Sequence, residues 1–251
     1  MAKQSGLAQE FFVQGYDLSG DVSTINNASS PRAVHDVTSI NKSAIERLLP
    51  RTDGMLNYNT WFDDAALQEH VILSSLPTTD SLVLWALGGS RGDTAAMLVS
   101  KQLDYPLTRG TDGSLAATID CQGNGEPLEW GVMLTAGKIV HSSATASGSG
   151  TSSDQGAATS NGMAAMLHVA DIDSGAPTVV VQDSANNSSF STIISFTAVS
   201  NGAEPTAERK SLAGSVRRYL SVATTGTFSN LDFAVGIRIG TAQDDTAYVT
   251  A

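Results

Sequence analysis

The chain has 251 residues, which is enough for one large or two small domains with a hydrophobic core. Its 25 acidic and 14 basic residues give a formal net charge of −11, and because an acidic surface repels the phosphate backbone, the composition excludes tight nucleic-acid binding. The single cysteine, Cys121, excludes a disulfide within the chain, so the fold depends on packing.

No segment predicts secretion or a membrane partner. The N-terminal residues lack the apolar stretch of about 7–15 residues that marks a signal peptide. The longest apolar run, residues 82–87, is far shorter than the roughly 20 residues that span a bilayer. We therefore expect synthesis in a cytoplasm.

The first predicted elements are a strand over residues 11–16, an acidic turn over 17–21 and a short helix. Ser43 and Glu46 have the spacing of a capping box, in which each side chain bonds the other residue's backbone amide. Pro50 ends this helix after about two turns. Its apolar side would carry Ile45, Leu48 and Leu49.

A second short helix is predicted to begin at Asp63 or Asp64, because a carboxylate suits both the N-cap and the positive end of the helix dipole. Leu67 and Val71 would face the core from it, and Pro77 lies beyond its end.

Elsewhere a period of two residues dominates and predicts strands. Apolar and polar residues alternate over 97–105, and the Asp112–Gly113 turn leads into residues 115–121, which predicts a hairpin. Residues 231–239 alternate most regularly, and the segments 190–196 and 216–222 repeat the pattern. The chain is therefore predicted to be mainly β, with one or two short helices.

Composition divides the chain into three parts. Residues 1–141 form the first predicted domain, and residues 142–162 are a flexible Ser/Gly/Ala-rich linker. Residues 163–251 form a second, smaller C-terminal β-sandwich with a polar tail from Thr241. Residues 128–132 and 231–235 share an order of residue types at an offset of 103, so a duplication of β units is an open alternative.

No catalytic, cofactor-binding or metal-binding residue is predicted, and the chain is not expected to be an enzyme. The histidines are dispersed, and His35 and Asp36 are neighbours on a presumed strand, so their side chains point to opposite faces. Cys121 is expected to be a small buried hydrophobe. The other histidines are His70, His141 and His168.

Two short motifs have an ordinary structural interpretation. Residues 171–175 resemble the first half of a calcium loop, but Gln182 stands where that loop has a bidentate Glu, so a polar turn is expected. Arg91-Gly92-Asp93 matches a receptor-binding tripeptide, and after two glycines it is expected to be an ordinary loop.

The order of landmarks along the chain resembles that of the major tail (tail tube) proteins of long-tailed bacteriophages, of the siphophage type found in actinobacterial phages. The matching segments are residues 11–16, 17–21, 36–38, 42–47, 51–54, 101–105, 111–115 and 129–131, with a looser match over 163–240.

This resemblance implies a tail-tube β-sandwich or barrel whose subunits close into stacked rings around a channel for DNA, in the virion tail. Residues 11–16 would lie in the tube wall, 43–49 would form a helix outside it, and 98–105 with 115–121 would form an inner hairpin. The ring would be a hexamer, or a trimer if the chain is duplicated. Tape-measure and tail-terminator proteins are the implied partners, and the net charge of −7 over residues 1–141 suits an acidic lumen.

The alternative is a capsid-decorating or glycan-binding β-sandwich protein on the virion surface. In that case Phe190, Tyr219 and Phe228 of the C-terminal sandwich would bind glycans.

Overall fold

The structure is a computed structural model, and it describes residues 7–241. In this range the strands in chain order are β1 (Glu10–Val13), β2 (Tyr16–Asp17), β3 (Val22–Ser29), β4 (His35–Asp36), β5 (Arg47–Leu48), β6 (Met55–Trp61), β7 (Ser81–Ala86), β8 (Thr94–Gln102), β9 (Leu107–Arg109), β10 (Leu115–Gly123), β11 (Glu129–Met133), β12 (Ile139–His141), β13 (Ser152–Asp154), β14 (Met163–Gly175), β15 (Thr178–Ser184), β16 (Ser191–Ser195), β17 (Thr206–Leu212), β18 (Tyr219–Thr225) and β19 (Phe228–Ile239). The helix α1 (Glu69–Leu73) lies between β6 and β7.

The chain divides into two compact units that are interleaved in sequence. Unit 1 takes the chain up to Gly20, Leu82–Met97 and the chain from Trp130 onward, and unit 2 takes Asp21–Ser81 and Leu98–Glu129. The prediction of a mainly β chain is confirmed, with α1 as the helix of the described range.

Unit 1 is organised around the long antiparallel pair β14–β19, which runs from Met163 opposite Ile239 to Gly175 opposite Phe228. Strand β17 pairs with the other edge of β14, and β11 and β12 pair with β19. A second sheet has the order β13-β18-β15-β16.

The strand predicted over residues 231–239 is confirmed as part of β19. Its alternating apolar residues lie on the face of β14–β19 that packs against this second sheet. Burying each aliphatic or aromatic side chain there contributes about 1.5–3 kcal/mol. The cluster includes Leu167, Val169, Phe233, Val235 and Ile237 on one side, and Val179, Val181, Leu220 and Val222 on the other.

The N-terminal segment is a hairpin and not the single strand predicted over residues 11–16. Val13 pairs with Tyr16, so Gln14 and Gly15 form a two-residue turn, and both have positive φ (51° and 92°). Two-residue hairpin turns of this kind need positive φ at both positions. The turn residues are therefore Gln14 and Gly15, and not the Asn-Gly pair by which such a turn is more easily recognised in a sequence.

His168, on β14, holds this hairpin in place. Its Nδ1 accepts a hydrogen bond of 3.1 Å from the Gly15 amide, and its ring lies 5.8 Å from that of Phe12. The side chain is buried, and its Nε2 has no hydrogen-bond partner among residues 7–241. Burial lowers the pKa of His168 to about 3.

Unit 2 is built on strands β3, β6 and β10, with β6 in the middle of the three and antiparallel to both neighbours. The Asp112–Gly113 turn is confirmed, with Gly113 at a φ of 94°, but it joins β9 to β10. Near this turn β10 pairs with β9, and β8 pairs with β10 only where Ser100–Gln102 face Cys121–Gly123. The long hairpin predicted from 98–105 and 115–121 is therefore not formed along its full length.

The helix predicted from Ser43 to Leu49 is wrong. The Glu46 carbonyl accepts a hydrogen bond from the Val37 amide, and the Glu46 amide donates to Thr38 Oγ1. These cross-strand bonds take the groups that a helix would use, and an isolated helix of two turns is unstable in water. The segment instead forms the ribbon β4–β5.

The second predicted helix exists but begins later and faces the other way. Helix α1 spans Glu69–Leu73, and its buried residues are Glu69 and Leu73. Leu67 and Val71, which were predicted to face inward, are 54% and 51% exposed. The polar Glu69 is buried because unit 2 supplies hydrogen-bond donors to its carboxylate.

The division of the chain into domains at residues 1–141, 142–162 and 163–251 stays a prediction. In the structure the linker segment contributes β13, which pairs with β18. Part of the predicted polar tail, residues 242–251, lies outside the described residues.

The two segments that suggested duplication bury different positions. In the first, Glu129 is buried and Trp130 is 44% exposed, whereas in the second Asp232 is half-buried and Phe233 is fully buried. The two segments therefore occupy different kinds of environment, although Leu128 and Leu231 are both buried.

Replacing Gly15 with alanine should destabilise the fold by at least about 2 kcal/mol, since it combines a clash with positive φ. A Cβ at this position would lie 2.5 Å from the Thr206 carbonyl oxygen and 2.6 Å from that of Val169. Urea unfolding of Gly15→Ala measures the loss. The matched control is Gly20→Ala, where a Cβ meets nothing within 4 Å. Equal stabilities of the two variants would contradict the close approach of Gly15 to the backbone of Val169 and Thr206.

The His168→Gln variant should flatten the dependence of stability on pH. Because the folded-state pKa of His168 is about 3, the unfolded state binds the extra proton between about pH 6.5 and pH 3. The free energy of unfolding therefore falls by about 1.4 kcal/mol per pH unit as the pH drops through this window. Urea unfolding at pH 7 and pH 5 measures this slope, and the His35→Gln control should keep it. A slope unchanged in His168→Gln would refute the account.

Candidate assembly surface

The most exposed apolar side chains of the described residues are concentrated in unit 2. Twelve of the fifteen exposed large hydrophobic residues belong to it, and the other three are Leu7, Trp130 and Val140. Scattered exposed apolar residues are normal, but concentrated ones mark interaction surfaces. Six of the twelve lie in residues 31–53, five lie in residues 67–76 and 103–107, and the twelfth is Trp61.

The first group lies on residues 31–53, which we call the arm. Its two short strands pair through His35 opposite Leu48 and Asp36 opposite Arg47, and a bridge joins Arg32 to Thr52. A two-stranded ribbon is only marginally stable by itself in water. Six apolar side chains of the arm are at least half exposed: Val34, Val37, Ile40, Ile45, Leu48 and Leu49.

Short polar contacts hold the arm in shape. Asp36 Oδ1 accepts hydrogen bonds from the amide and hydroxyl of Thr38, which hold the pKa of Asp36 below its usual value. Lys42 and Glu46 form an exposed ion pair at 3.0 Å. Surface pairs of this kind contribute only tenths of a kcal/mol. Because almost all residues from 32 to 49 are exposed, the arm has no core of its own.

The arm also differs in charge from the rest of the chain. It holds four basic and three acidic residues, a net charge of +1. The remainder of unit 2 holds ten acidic and two basic residues, a net charge of −8.

The second group lies on residues 67–76 and 103–107, two segments that hydrogen bonds from Tyr105 to Glu69 and from Gln102 to Leu73 connect, and it is called the α1 patch. It consists of Leu67, Val71, Leu76, Leu103 and Leu107, which are 42–57% exposed. Leu67 and Leu76 also have positive φ (66° and 47°), a conformation that costs a bulky residue energy and that often marks a functional surface.

Buried polar contacts fix the α1 patch. The Glu69 carboxylate accepts hydrogen bonds from Thr60 Oγ1 at 2.7 Å and from the Tyr105 hydroxyl at 3.0 Å. The Glu69 amide donates to Asp21, and the Tyr105 hydroxyl also contacts His70 Nδ1 at 3.1 Å. Burial and the bond to Glu69 raise the pKa of Tyr105.

These contacts tie the segment after β8 to α1, and Gln102 strengthens the connection. Its Nε2 donates to the Leu73 carbonyl at 2.8 Å and to the Asp104 carbonyl at 3.2 Å. Sequence reasoning missed this cluster, because its members are up to 84 positions apart (Asp21 to Tyr105) and no local motif joins them.

The sheet of unit 2 has one buried and one polar face. On β6 and β10 the buried face carries Leu56, Tyr58, Ile119 and Cys121. The opposite face is rich in amides and hydroxyls and carries one carboxylate on these two strands, Asp120, to which Asn57 donates a hydrogen bond. Its other residues on β6 and β10 are Met55, Asn59, Trp61, Ala116, Thr118 and Gln122.

The remaining sequence candidates occupy structural positions. His35 is exposed on the arm, and its side chain lies on the face opposite that of Asp36. His141 Nδ1 contacts Thr224 Oγ1 at 2.9 Å, and burial lowers the pKa of His141. Burial raises the pKa of the Cys121 thiol to about 11, which agrees with the interpretation of a small buried hydrophobe.

The two motifs are also accounted for by local structure. Arg91 donates hydrogen bonds to the carbonyls of Leu134 and Gly150, and Asp93 accepts one from the Ser90 amide, so this tripeptide is engaged within unit 1. Residues 171–175 are the end of β14 and not the expected turn.

The three aromatic residues considered for glycan binding do not form a common exposed surface. Phe228 is 9% exposed and belongs to the core of unit 1. Tyr219 lies on β18 with the Arg218 guanidinium 5.1 Å from its ring centre, and Phe190 is half-buried.

Within residues 7–241 no group of three or more His, Cys, Asp or Glu residues could hold a metal ion, and no helix is long and apolar enough to cross a membrane. Unit 1 contains a pocket of about 300 Å³ beside β17. The carboxylate of Glu208 in its wall is already bonded to the amide and hydroxyl of Thr197.

The Tyr105→Phe variant should lose about 1–3 kcal/mol of stability, because it removes a donor from the buried Glu69 carboxylate. Urea unfolding measures the loss. The matched control is Tyr16→Phe, since the Tyr16 hydroxyl makes no hydrogen bond within the described range. A loss in Tyr105→Phe no larger than in the control would show that the Glu69 cluster does not hold α1.

No family model matches the sequence, and no curated protein sequence matches it. Among solved structures the chain is similar to the Dit (gp 19.1) protein of phage SPP1, described as a paradigm of the hub adsorption apparatus in phages that infect Gram-positive bacteria. That match has 11% identity and a TM-score of 0.32, and it covers 92% of this chain and 100% of the Dit chain.

Two structures of the phage p2 baseplate in its activated conformation, with Sr and with Ca, are also similar. Their identities are 8% and 9% and their TM-scores 0.33 and 0.32, and each match covers 93% of this chain and 99% of the other. These three structures come from phage adsorption or baseplate assemblies. At TM-scores below 0.5 these likenesses carry no argument about the function of this chain.

Proposed function

We propose that this chain is a structural subunit of a bacteriophage tail that assembles with copies of itself into stacked rings and forms the tail tube. The observation that carries the proposal is the concentration of exposed apolar side chains on the arm and the α1 patch of unit 2. A surface of this composition is stable in water when another protein surface covers it.

The resemblance of residues 8–140 to tail tube proteins supplies the kind of assembly. On this basis the ring is a hexamer, the partners are tape-measure and tail-terminator proteins, and the location is the tail of the virion. The role is structural and not enzymatic.

An unpaired strand edge supports association between copies. In unit 2, β3 pairs with β6 on one side, and among the described residues no strand pairs with its other edge. Such edges pair readily with other chains, and closure into a ring would remove them.

The polar face of β6 and β10 suits the wall of a channel for DNA. It carries Asn57, Asn59, Thr118 and Gln122 and a single carboxylate, Asp120, with no lysine or arginine from these two strands. Without cations the face would not bind phosphates, so DNA could slide past it. We therefore propose a lining of neutral amides and hydroxyls rather than the strongly acidic lumen expected from the sequence.

The purified protein should form rings or tubes with a central channel in negative-stain electron micrographs. The triple variant Ile45→Ser, Leu48→Ser, Leu49→Ser should stay monomeric with an unchanged circular dichroism spectrum, because these side chains are exposed in the monomer and add little to its core. Sedimentation velocity measures the distribution of masses.

The matched control is Val140→Ser, an exposed apolar side chain of unit 1, which should assemble like the wild type. A wild-type protein that stays monomeric at high concentration, alone and with tail partner proteins, would refute the proposed function.

A further inference from the structure

We infer that the arm of one copy docks on the α1 patch of a second copy. This inference rests on the proposed function, because it names the two surfaces through which copies of the chain would associate. Both surfaces belong to unit 2 and expose apolar side chains.

The two surfaces differ in form, as the two sides of a head-to-tail interface do. The arm is a narrow ribbon whose residues from 32 to 49 are almost all exposed, whereas the α1 patch is a face held on the body of unit 2. A chain that carries a donor and a different acceptor surface associates head to tail, and such contacts generate rings or filaments.

The charges of the arm and the α1 patch favour a second copy of this chain as the binding partner. The arm has a net charge of +1, and the α1 patch is bordered by Asp63, Asp64 and Asp104, of which the last two are exposed. Arg47 and Arg51 of the arm are exposed and available to these carboxylates. Opposite charges at an interface raise the association rate and disfavour the wrong register.

The size of the arm fits a complete interface. It has 23 residues, and a protein–protein interface of standard size takes about 20–30 residues on each side. The acceptor is preorganised, since Glu69 and Gln102 fix α1 and the segment after β8, so little conformational entropy is lost on binding.

A charge exchange tests the pairing. The arm variant carries Arg47→Glu and Arg51→Glu, and the patch variant carries Asp64→Lys and Asp104→Lys. Each variant alone places like charges at the interface, and we expect the concentration needed for assembly to rise about tenfold or more at low salt. The assay is sedimentation velocity.

Mixing the two variants is the decisive step, because the acidic arm of one then meets the basic patch of the other. The inference predicts that an equimolar mixture assembles nearly as well as the wild type, and that the differences shrink in 0.5 M salt, where the screening length is only about 4–5 Å. A mixture that assembles no better than the separate variants overturns the inference.

A cross-linking experiment gives an independent result. Ile40→Cys on one copy and Val71→Cys on another should form a mixed disulfide when the two variants are assembled together and mildly oxidised. The control pairs Ile40→Cys with Val140→Cys, which should not cross-link. The buried Cys121 stays in place in all variants.

The outcomes separate this inference from the proposed function. Wild-type rings without charge rescue or the specific cross-link would mean that another tail protein or another face covers the arm; the inference then fails while the proposed function stands. A wild-type protein that never assembles contradicts both.

Discussion

The burial of β14 and β19 on both faces is the constraint on which unit 1 depends. One face packs against the smaller sheet through aliphatic and aromatic residues, and the other is also buried and includes Ala164, Ala234 and Gly236. A Cβ on Gly236 would meet the side chains of Leu84 and Met97, so the glycine allows these two side chains to pack closely against β19. Unit 1 therefore completes its own core.

Unit 2 contrasts with this arrangement, because its arm has internal hydrogen bonds but no core. Hydrogen bonds such as that from Val37 to Glu46 define the shape of the ribbon, yet they contribute little net free energy in water. The apolar side chains of the arm gain free energy only when a partner covers them. That imbalance supports the proposed structural role in an assembly.

The sequence predicted the elements whose residue pattern is enforced by burial, and it failed where burial was absent. Residues 231–239 alternate because every second side chain enters one core, so their strand was predictable. Ser43 and Glu46 have a helical spacing, but no core holds that helix, and Thr38 competes for the Glu46 amide. Ile45, Leu48 and Leu49 look like core residues in the sequence, and only the structure distinguishes exposed from buried aliphatic residues. The Glu69 cluster joins residues distant in sequence and leaves no local signal.

Amide hydrogen exchange of the arm, compared between dispersed and assembled protein, tests the central claim most directly. The account predicts that amides in residues 35–48 exchange fast in the monomer and become strongly protected when rings form, together with those of residues 67–76. Particles that form while the exchange of the arm is unchanged would contradict it, because the exposed apolar ribbon would then have no part in assembly.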